Sequence, residues 1–478
     1  MKRRFLRIGT AALLFATLLL LLLSCDFFGT TTGAPSDITD PFTVGTYTYT
    51  TTVVTTAPVT TAPEVIPPLT GEELESFLGY VNYDKVSAAQ LYYYVHYIGG
   101  FRSVDTCLTE IYDMLSPIGS LRDVTDVEEA TTVFINAYAR ALGDNYGYYY
   151  GPVDYSDYTE DISGEYSGIG VSVSLNEDGY ADVLSVFPGS PAEDAGILPG
   201  DLIVGVGDED FAVIGYQNAI DLIRGAEGTT VEITVRRAGE DIRMTVARRK
   251  VTEVTVDYKM MAGNIGYIRI LSFDEKTYEQ FVAAHIALEN AGAESYIFDV
   301  RNNPGGTLTS VVAILEYILP DGPIVHMNYK LDINDHTISS IKDIDKGYMD
   351  GVDRVYYENH VINKPMVVLA NANTASAGEL FTSSLNDYDV ATVVGEMTYG
   401  KGVGQTALSI GSDGSALVLT VFSYDPPVSQ NYDGLGITPD VTVLLSEEAA
   451  GKNLYRLTYD EDTQLQKAVS ILQPAVQN

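Results

Sequence analysis

Residues that bind metals or form crosslinks are scarce in this sequence. Among 478 residues there are two cysteines, Cys25 and Cys107. Because Cys25 is predicted below to carry a lipid, we expect no intramolecular disulfide. The five histidines are scattered without metal-ligand spacing: His96, His285, His326, His336 and His360. No zinc or calcium signature is present. The sequence therefore predicts neither a metal site nor another cofactor.

Basic residues are the second shortage. The chain has 28 Lys and Arg against 65 Asp and Glu, which gives a formal net charge of −37 at pH 7. So large an acidic excess is repelled by the phosphates of nucleic acids and by anionic lipid surfaces. The charge therefore argues against a nucleic-acid partner. It favours solubility and leaves the fold undetermined.

The N-terminus has the pattern of a secretory signal. Basic residues precede the apolar run Ile8 to Leu23, which ends at Leu22-Leu-Ser-Cys25. This end resembles a bacterial lipoprotein processing site, so we predict a signal peptide over residues 1–24 and lipidation of Cys25. Several acyl chains on Cys25 would anchor the protein to a bacterial cell membrane, with its bulk outside the cytoplasm. An uncleaved membrane anchor is the alternative, for which the run is somewhat short.

Composition separates the next two regions. Residues 26–70 contain fifteen threonines and no Lys or Arg, and they lack the apolar density for a core. We therefore predict a Thr-rich linker over residues 25–70. Residues 71–164 carry apolar groups at helical spacing and are predicted to be an N-terminal helical region. Cys107 lies in one of these patterns, as expected of a buried core thiol.

Residues 165–250 alternate short strands, turns and helices. Gly168 to Ser174 alternates like a strand, and Gln217 to Arg224 has a helical pattern. The order of the elements resembles a PDZ domain, which is β-rich with two helices. The resemblance implies a loop whose N–H groups hold a peptide's terminal carboxylate, formed by Ser167, Gly168, Ile169 and Gly170. The candidates to line its side-chain pocket are Tyr216, Ile220 and Ile223. A PDZ fold that serves only as a spacer is the alternative.

Residues 251–445 alternate apolar strands with helices. The strand-like runs include Tyr296 to Val300 and Met366 to Ala370, and each is followed by a polar turn. This alternation predicts an α/β layered core with its sites at strand ends. Residues 446–478 are predicted to be a C-terminal tail. The whole chain is thus expected to be an α+β multi-domain protein.

A serine and a lysine in this core have the pattern of a nucleophile and a base. Ser376 lies between two alanines at the start of a predicted helix. Lys401 follows twenty-five residues later, between Gly400 and Gly402. Serine needs a base to remove its proton, and burial lowers a lysine pKa that is about 10.4 in water. The pair suggests serine–lysine peptide hydrolysis.

Backbone donors for an oxyanion hole are predicted at two places. One is the amide of Ala377, at a helix start where N–H groups are free. The other is the turn Arg301-Asn-Asn-Pro-Gly-Gly306, because glycine lets a backbone approach a bound group. In an extended segment Gln405 points to the same side as Lys401, but lies roughly 13 Å away along a straight strand. The two side chains touch only if the glycine-containing stretch between them bends.

Each of these features also has a purely structural interpretation. A serine at an Ala-rich helix start is usually an N-cap, and a lysine between glycines is usually a solvated loop residue. Asn-Pro-Gly-Gly alone is usually a turn. Their occurrence in this order, each after an apolar strand-like run, favours the catalytic interpretation.

Three segments together resemble the motifs of the carboxyl-terminal processing proteases, a family of tail-specific serine peptidases. The matching segments are Arg301 to Gly306, Thr374 to Glu379 and Thr398 to Gln405. The resemblance spans about residues 72–445 and implies an α/β serine-protease core. It implies these roles: Ser376 as nucleophile, Lys401 as base, Gln405 as its orienting partner, and Ala377, Gly305 and Gly306 as the oxyanion hole. The departures from the family pattern are Thr374, Gly378 and Tyr399, and none removes a catalytic group.

The sequence thus predicts a lipid-anchored serine endopeptidase whose PDZ domain holds the free C-terminus of unfolded or tailed protein substrates. Assembly into a homo-oligomer is left open. One alternative is a catalytically silent lipoprotein that binds peptides or apolar ligands in its PDZ domain and groove. A second is a Ser–His–Asp hydrolase such as an esterase, which the lack of a Gly-x-Ser-x-Gly sequence at Ser376 disfavours.

Overall fold

The computed structural model describes residues 67–176, 178–330, 336–339 and 362–473. The predicted signal peptide, Cys25 and all but the end of the predicted linker lie outside these residues. None of the helices in the described ranges is long and apolar enough to span a bilayer.

The described chain divides into two units. The first contains residues 67–91 and 102–141, and the second contains residues 92–101 and 142–473. Four helices begin in the first unit: α1 (Gly71–Leu78), α2 (Tyr83–His96), α3 (Val104–Leu115) and α4 (Val127–Ala141), with a 3₁₀ turn at Gly119–Asp123.

Helix α3 shows why this region is helical. The Ser103 side chain accepts the N–H of Thr106 and so caps the helix start. The buried residues recur at helical spacing: Val104, Cys107, Ile111 and Leu115. The prediction of a helix here and of a buried Cys107 thiol is confirmed.

The second unit begins with the end of α2 and continues with a strand and a helix, β1 (Tyr148–Tyr150) and α5 (Pro152–Ser163). The PDZ-like region follows, with the elements β2 (Glu165–Gly168), β3 (Val171–Leu175), β4 (Ala181–Val186), α6 (Pro191–Ala195), β5 (Leu202–Val206), β6 (Glu209–Asp210), α7 (Phe211–Ile214), α8 (Tyr216–Ile223), β7 (Thr230–Arg237), β8 (Glu240–Ala247) and β9 (Arg249–Thr252). The main sheet has the order β3-β4-β5-β7-β8, which leaves β3 at an edge. The β2 strand pairs separately with β9.

The prediction of one strand over Gly168 to Ser174 is wrong, because two strands meet there. β2 ends at Gly168 and β3 begins at Val171. Between them Gly170 has a φ of 79°, which glycine adopts without strain. A Cβ at Gly170 would lie 2.4 Å from the Cβ of Ser190, so the chain can pass here only without a side chain.

The rest of the second unit forms the core around the predicted site. Its elements are β10 (Val256–Met261), β11 (Ile265–Ile270), α9 (Thr277–Asn290), β12 (Ser295–Asp299), α10 (Leu308–Ile318), β13 (Val325–Tyr329), β14 (His336–Ile338), β15 (Met366–Ala370), α11 (Ala377–Asp387), β16 (Ala391–Gly395), β17 (Val403–Ile410), β18 (Ser415–Asp425), β19 (Val441–Thr442), α12 (Glu447–Ala450), a 3₁₀ turn at Leu454–Arg456, and α13 (Thr463–Leu472).

One six-stranded sheet positions most of the site. Its order is β10-β11-β12-β15-β16-β19, and all neighbours are parallel except β10 with β11. The strands β12 and β15 are buried throughout, as expected of parallel strands covered on both faces. Because parallel strands end at the same edge, the turns after β12, β15 and β16 meet there.

A second sheet carries the remaining site residues. Its order is β1-β18-β13-β14. The strands β1 and β13 pair with different parts of β18, and β17 pairs with β18 along most of its length. Gln405 on β17 lies opposite Thr420 on β18, next to an irregularity in register between Gly404 and Gln405. This bulge bends the strand just after Lys401.

The C-terminal region is part of the core, so the prediction of a tail over residues 446–478 is wrong for its described residues. Helix α13 buries Leu465, Ala468 and Val469 against residues of the six-stranded sheet. The apolar spacing of this short helix supplies one buried face, and the sheet supplies the surface that it covers.

A buried arginine ties this helix to the turn after β12. Arg301 is 1% exposed and donates to both Asp299 oxygens and to both Asp462 oxygens at 2.7–2.9 Å. Burial raises the pKa of Asp299, but Arg301 and Arg269 outweigh burial and hold that pKa well below its usual range. The network fixes the first residue of the Arg301–Gly306 turn from two directions.

Replacing this arginine tests how much the network contributes to stability. Arg301→Met leaves Asp462 without its cation in the interior, so we expect the free energy of unfolding to fall by about 3–5 kcal/mol. Urea unfolding followed by circular dichroism measures the change. Arg236→Met is the matched control, because Arg236 pairs with Asp241 at an exposed site and its loss should leave the unfolding midpoint nearly unchanged. Equal midpoints for the two variants would contradict the prediction.

Candidate active site

Ser376 lies in the turn between β15 and α11. Its φ and ψ are 54° and −119°, a left-handed conformation that strains any residue with a side chain. Helix α11 begins at the next residue, Ala377, so the predicted helix start is confirmed. Strain of this kind persists only where the surrounding structure enforces it, and it clusters at functional sites.

A buried carboxylate enforces the position of Ser376. The Oε2 atom of Glu379 accepts the N–H groups of Ser376 at 2.9 Å and of Lys401 at 2.8 Å. Its Oε1 atom accepts the hydroxyl of Thr398 and the N–H of Gly400, both at 2.6 Å. Because one oxygen binds both amides, the nitrogens of Ser376 and Lys401 lie within about 6 Å of each other.

Glu379 is the functional residue that the sequence analysis left without a role. Its side chain is fully buried, and burial raises its pKa, while the four hydrogen bonds that it accepts lower it. A glutamate three residues after the helix-start Ser376 has the spacing of a capping box, which was the available signal. The spacing does not reveal that the same carboxylate also binds the Lys401 segment.

Lys401 lies in the turn after β16, as predicted for a residue at a strand end. Burial lowers its pKa to about 8, against the opposing effects of Asp144, Glu379 and Asp433. Its Nζ lies 4.5 Å from the centroid of the Tyr146 ring, a cation–π contact. Lys401 is half-buried, and its amine is partly neutral near pH 8. Within the described residues Nζ makes no hydrogen bond, so no acceptor holds it.

Tyr424 links the lysine segment to the serine. Its hydroxyl donates to the Lys401 carbonyl at 2.8 Å. Burial raises the pKa of Tyr424, and the nearby Ser376 hydroxyl offsets part of this rise. The Ser376 side chain thus lies in the same buried polar cluster as the backbone of Lys401.

Within the described residues, no hydrogen bond joins Gln405 to Lys401. Its Nε2 donates to the Thr420 hydroxyl at 3.1 Å, across the β17–β18 pair. The role of Gln405 as the orienting partner of Lys401 therefore stays a prediction. The Gly404–Gln405 bulge supplies the bend on which that role depends.

The turn after β12 contributes to the predicted oxyanion hole with one correction. The N–H of Gly305 donates to the Asn303 side chain at 2.8 Å, so this amide is not available to an oxyanion here. Gly305 contributes close approach instead, since a Cβ there would lie 2.7 Å from the Cβ of Ser376. Among the described residues, the N–H groups of Gly306 and Ala377 have no acceptor and are the two available donors.

Asparagine side chains hold the two turns against each other. The Asn371 and Asn373 amides both donate to Asn302 Oδ1, at 2.8 and 3.0 Å. The N–H of Ala375 donates to the carbonyl of Asn303 at 2.9 Å. These bonds fix the distance between the Ser376 turn and the glycine turn.

The predicted carboxylate-binding loop of the PDZ-like region is placed partly as expected. Within the described residues the N–H groups of Ile169 and Gly170 have no acceptor, so they are available to a terminal carboxylate. Gly168 and Ile169 line a groove of about 210 Å³. Ser167 lies in the β2–β9 pair opposite Lys250, and neither it nor Gly170 is among the residues that line the groove, so the role of Ser167 stays a prediction.

This groove runs between the edge strand β3 and helix α8. The three pocket candidates Tyr216, Ile220 and Ile223 line it, together with Val171 and Val173 of β3. Its lining also includes Glu253, whose pKa is raised to about 7, first by burial and then by nearby Asp274 and Asp161, and Arg224, which opposes this rise. The groove is therefore mostly apolar, with one acidic and one basic side chain in its lining.

The described histidines do not complete a catalytic triad. His285 is buried in α9, where its Nδ1 lies 2.9 Å from the Tyr317 hydroxyl. His326 lies on β13, where its Nδ1 is 2.9 Å from the Thr337 hydroxyl. Neither of them, nor His96, hydrogen-bonds to Ser376, and the side chains of His336 and His360 lie outside the described residues. In the same ranges no group of three or more potential metal ligands is present.

Known protein families match both the core that contains Ser376 and Lys401 and the PDZ-like region. The profile of Peptidase family S41 matches residues 264–443, and that of the PDZ domain matches residues 183–237. A carboxyl-terminal-processing protease of Synechocystis sp. is 31% identical over 330 residues, which are 67% of this chain and 72% of that protein. The carboxy-terminal processing protease CtpA of Bacillus subtilis is 32% identical over 327 residues, 68% of this chain and 66% of that protein.

Among solved structures, a photosystem II D1 C-terminal processing protease covers 78% of this chain and 94% of its own, at 24% identity and a TM-score of 0.42.

The Glu379 carboxylate can be tested by an isosteric change. Glu379→Gln puts an NH₂ group where an oxygen now accepts N–H and O–H donors, so the Ser376 and Lys401 segments should lose their mutual position. We expect the rate of peptide hydrolysis to fall by roughly 10²-fold, as for other misplaced catalytic groups. Glu279→Gln, an exposed change at the start of α9, is the control. Full activity of the Glu379→Gln protein would show that the Glu379 carboxylate is not needed to position the two segments.

Proposed function

Because this chain belongs to the carboxyl-terminal-processing proteases of peptidase family S41, we propose that Ser376 and Lys401 form its catalytic dyad. The protein is a serine-type endopeptidase with a PDZ domain. The observation that supports the dyad is the Glu379 carboxylate, whose Oε2 binds the backbone N–H groups of both residues. A second support is the pKa of Lys401, which burial lowers to about 8.

The proposed reaction is acyl transfer in two steps. The neutral amine of Lys401 takes the proton of the Ser376 hydroxyl, and the oxygen attacks the carbonyl carbon of the scissile bond. The N–H groups of Gly306 and Ala377 stabilise the oxyanion. The Lys401 ammonium then protonates the leaving amine. Water, deprotonated by Lys401 in turn, releases the acyl group as a carboxylate and restores the serine.

The contact with Tyr146 suits the lysine's change of charge. A cation is attracted to the ring face, whereas a neutral amine is attracted much less. On losing its proton, Lys401 is therefore freer to rotate towards the Ser376 hydroxyl. When the amine regains a proton, the position over the Tyr146 ring is favoured again. Gln405 is the proposed orienting partner of the Lys401 amine between these two positions.

The proposed substrates are unfolded or tailed proteins that the PDZ domain holds by their C-terminus. The free N–H groups of Ile169 and Gly170 suit a terminal carboxylate, and the edge strand β3 offers an unpaired ladder to an extended peptide. The apolar groove between β3 and α8 suits an apolar side chain near that terminus.

The proposed setting of the enzyme follows from its N-terminus. A lipid on Cys25 would anchor it to the outside of a bacterial cell membrane, and the Thr-rich residues 25–70 would hold the catalytic units away from the bilayer.

The dyad predicts a specific pH dependence. Lys401 acts in its neutral form, so kcat/KM should increase as the pH rises through about 8 and decrease at lower pH, where the amine is protonated.

Ser376→Ala and Lys401→Ala should each abolish cleavage of an unfolded protein while the fold is retained. Lys259→Ala is the matched control, because Lys259 also faces a tyrosine ring, that of Tyr267, but away from Ser376. Cleavage by the Ser376→Ala protein would exclude the dyad and favour a silent binding protein with a contaminating peptidase.

Recognition of the terminal carboxylate predicts an effect of C-terminal amidation. An amide loses the charge-assisted hydrogen bonds to Ile169 and Gly170, which are worth about 1.5–3 kcal/mol each for a charged acceptor. We expect KM for an amidated peptide to rise by at least ~10-fold, with little change in kcat. N-terminal acetylation of the same peptide is the control. Equal KM values for the free and amidated peptides would exclude this mode of recognition.

A further inference from the structure

A buried carboxylate near Lys401 has no part in the mechanism above. Asp144 lies before β1 and is 2% exposed. Its Oδ1 accepts the Thr420 hydroxyl at 2.7 Å, and its Oδ2 accepts the Thr420 N–H at 3.1 Å. The N–H of Tyr146 donates to the same carboxylate at 3.3 Å. A buried charge needs such bonds to remain ionised, and here two of them come from one residue of β18.

Thr420 passes this constraint on to Gln405. A carboxylate only accepts hydrogen bonds, so the Thr420 hydroxyl must donate its proton to Asp144. The same oxygen then has only lone pairs left, and it accepts the Gln405 Nε2–H at 3.1 Å. The Gln405 amide is thereby fixed with its NH₂ group on Thr420. Its Oε1 atom, an acceptor, has no partner among the described residues and remains available to an ammonium.

The segment that carries Asp144 also faces the lysine directly. Two residues further on, the Tyr146 ring lies under Lys401 Nζ. Three carboxylates oppose the effect of burial on the pKa of Lys401, and Asp144 has the largest effect, followed by Glu379 and Asp433. Burial also raises the pKa of Asp144 itself, and Asp144 adds to the rise to about 12 in the pKa of Tyr97. Burial likewise raises the pKa of Tyr146, whose ring lies under Nζ, and nearby Tyr399 and Asp433 add to that rise.

We propose that Asp144 is a positioning residue for the base: it orients Gln405 through Thr420 and places a negative charge beside Lys401. The inference rests on the proposed dyad and adds a residue to it. Lys401 must hold a proton in one step and release it in the next, and burial alone favours the neutral form. The Asp144 charge and the Gln405 carbonyl favour the ammonium, so the lysine can exist in both forms near neutral pH.

A purely structural role for Asp144 makes a different prediction. Its bonds join the segment before β1 to β18, so its loss could lower stability and activity at every pH. Such a loss leaves the position of the acidic limb of the kcat/KM profile unchanged. A charge that acts on Lys401 moves this limb, because it changes the pKa of the catalytic group.

The decisive variant is Asp144→Asn in the full chain. Removing the negative charge destabilises the ammonium and lowers the pKa of Lys401, so the acidic limb should move to lower pH by roughly 1 unit, the low end of the effect of a neighbouring opposite charge. Asp257→Asn removes an exposed carboxylate of β10 in the same unit and should leave the limb in place. An Asp144→Asn protein whose limb coincides with that of Asp257→Asn would overturn the proposal.

A second pair of variants tests the link to Gln405 if Asp144→Asn does not fold. Thr420→Val keeps the shape of the side chain and removes the hydroxyl that joins Asp144 to Gln405. We expect kcat to fall by roughly 10-fold with little change in KM, because a catalytic group is misplaced while substrate binding is intact. Thr420→Ser restores the hydroxyl and should restore most of kcat. Equal kcat values for the Val and Ser variants would overturn this part.

A chemical measurement separates this inference from the proposed function. In the Ser376→Ala background, the rate at which acetic anhydride modifies Lys401 reports its neutral fraction, and mass spectrometry follows it against pH. The midpoint should move to lower pH when Asp144→Asn is added, whether or not the protein cleaves any substrate. An unchanged midpoint contradicts the proposed role of Asp144 and leaves the proposed dyad standing. If the Ser376→Ala protein still cleaves substrate, the proposed dyad is wrong. The midpoint of Lys401 modification still shows whether Asp144 affects the pKa of Lys401.

Discussion

The rest of the site depends on a single buried carboxylate. Glu379 binds the amides of Ser376 and Lys401 with one oxygen, and the Thr398 hydroxyl and Gly400 amide with the other. Each of the two segments follows a different parallel strand, so no local interaction holds them together. A carboxylate that accepts four short hydrogen bonds in the interior supplies that connection. It is also a negative charge that acts on Lys401, so the same group positions this lysine and affects its protonation.

The protonation of Lys401 is set by opposed effects. Burial lowers its pKa, the carboxylates of Asp144, Glu379 and Asp433 raise it, and the result is about 8. A lysine with no such charges around it would be a weaker proton acceptor, and a solvated one would be protonated at neutral pH. The Tyr146 ring adds a preferred place for the cation. The pKa of Lys401 therefore depends on the few carboxylates around it and not on the large net negative charge of the chain.

The sequence predicted the residue types and their local settings better than their partners. Ser376 at a helix start, the Lys401 turn at a strand end and the apolar strands were all visible as patterns of a few residues. The run Gly168 to Ser174 alternates like a single strand, but one positive-φ glycine, Gly170, lies between two strands there. The amide of Gly305 was predicted as a donor because glycines permit close approach, but the Asn303 side chain occupies it. The residues after 445 read as a tail because the surface that α13 covers lies in strands far away in the chain.

Local order along the chain determined which segments are helices and strands and where Ser376 and Lys401 lie relative to them, and composition determined the acidic charge that argues against a nucleic-acid partner. These properties depend on spacing, on the conformations that glycine and serine allow, and on composition, all of which a sequence contains. Only the tertiary structure decided which groups meet: Asp144 with Thr420, Arg301 with Asp462, and Lys401 with Tyr146. Each of these pairs is separated by more than 150 residues, and many polar side chains could have taken either place. Which one does is fixed by strand order and by the requirement that every buried charge find a partner.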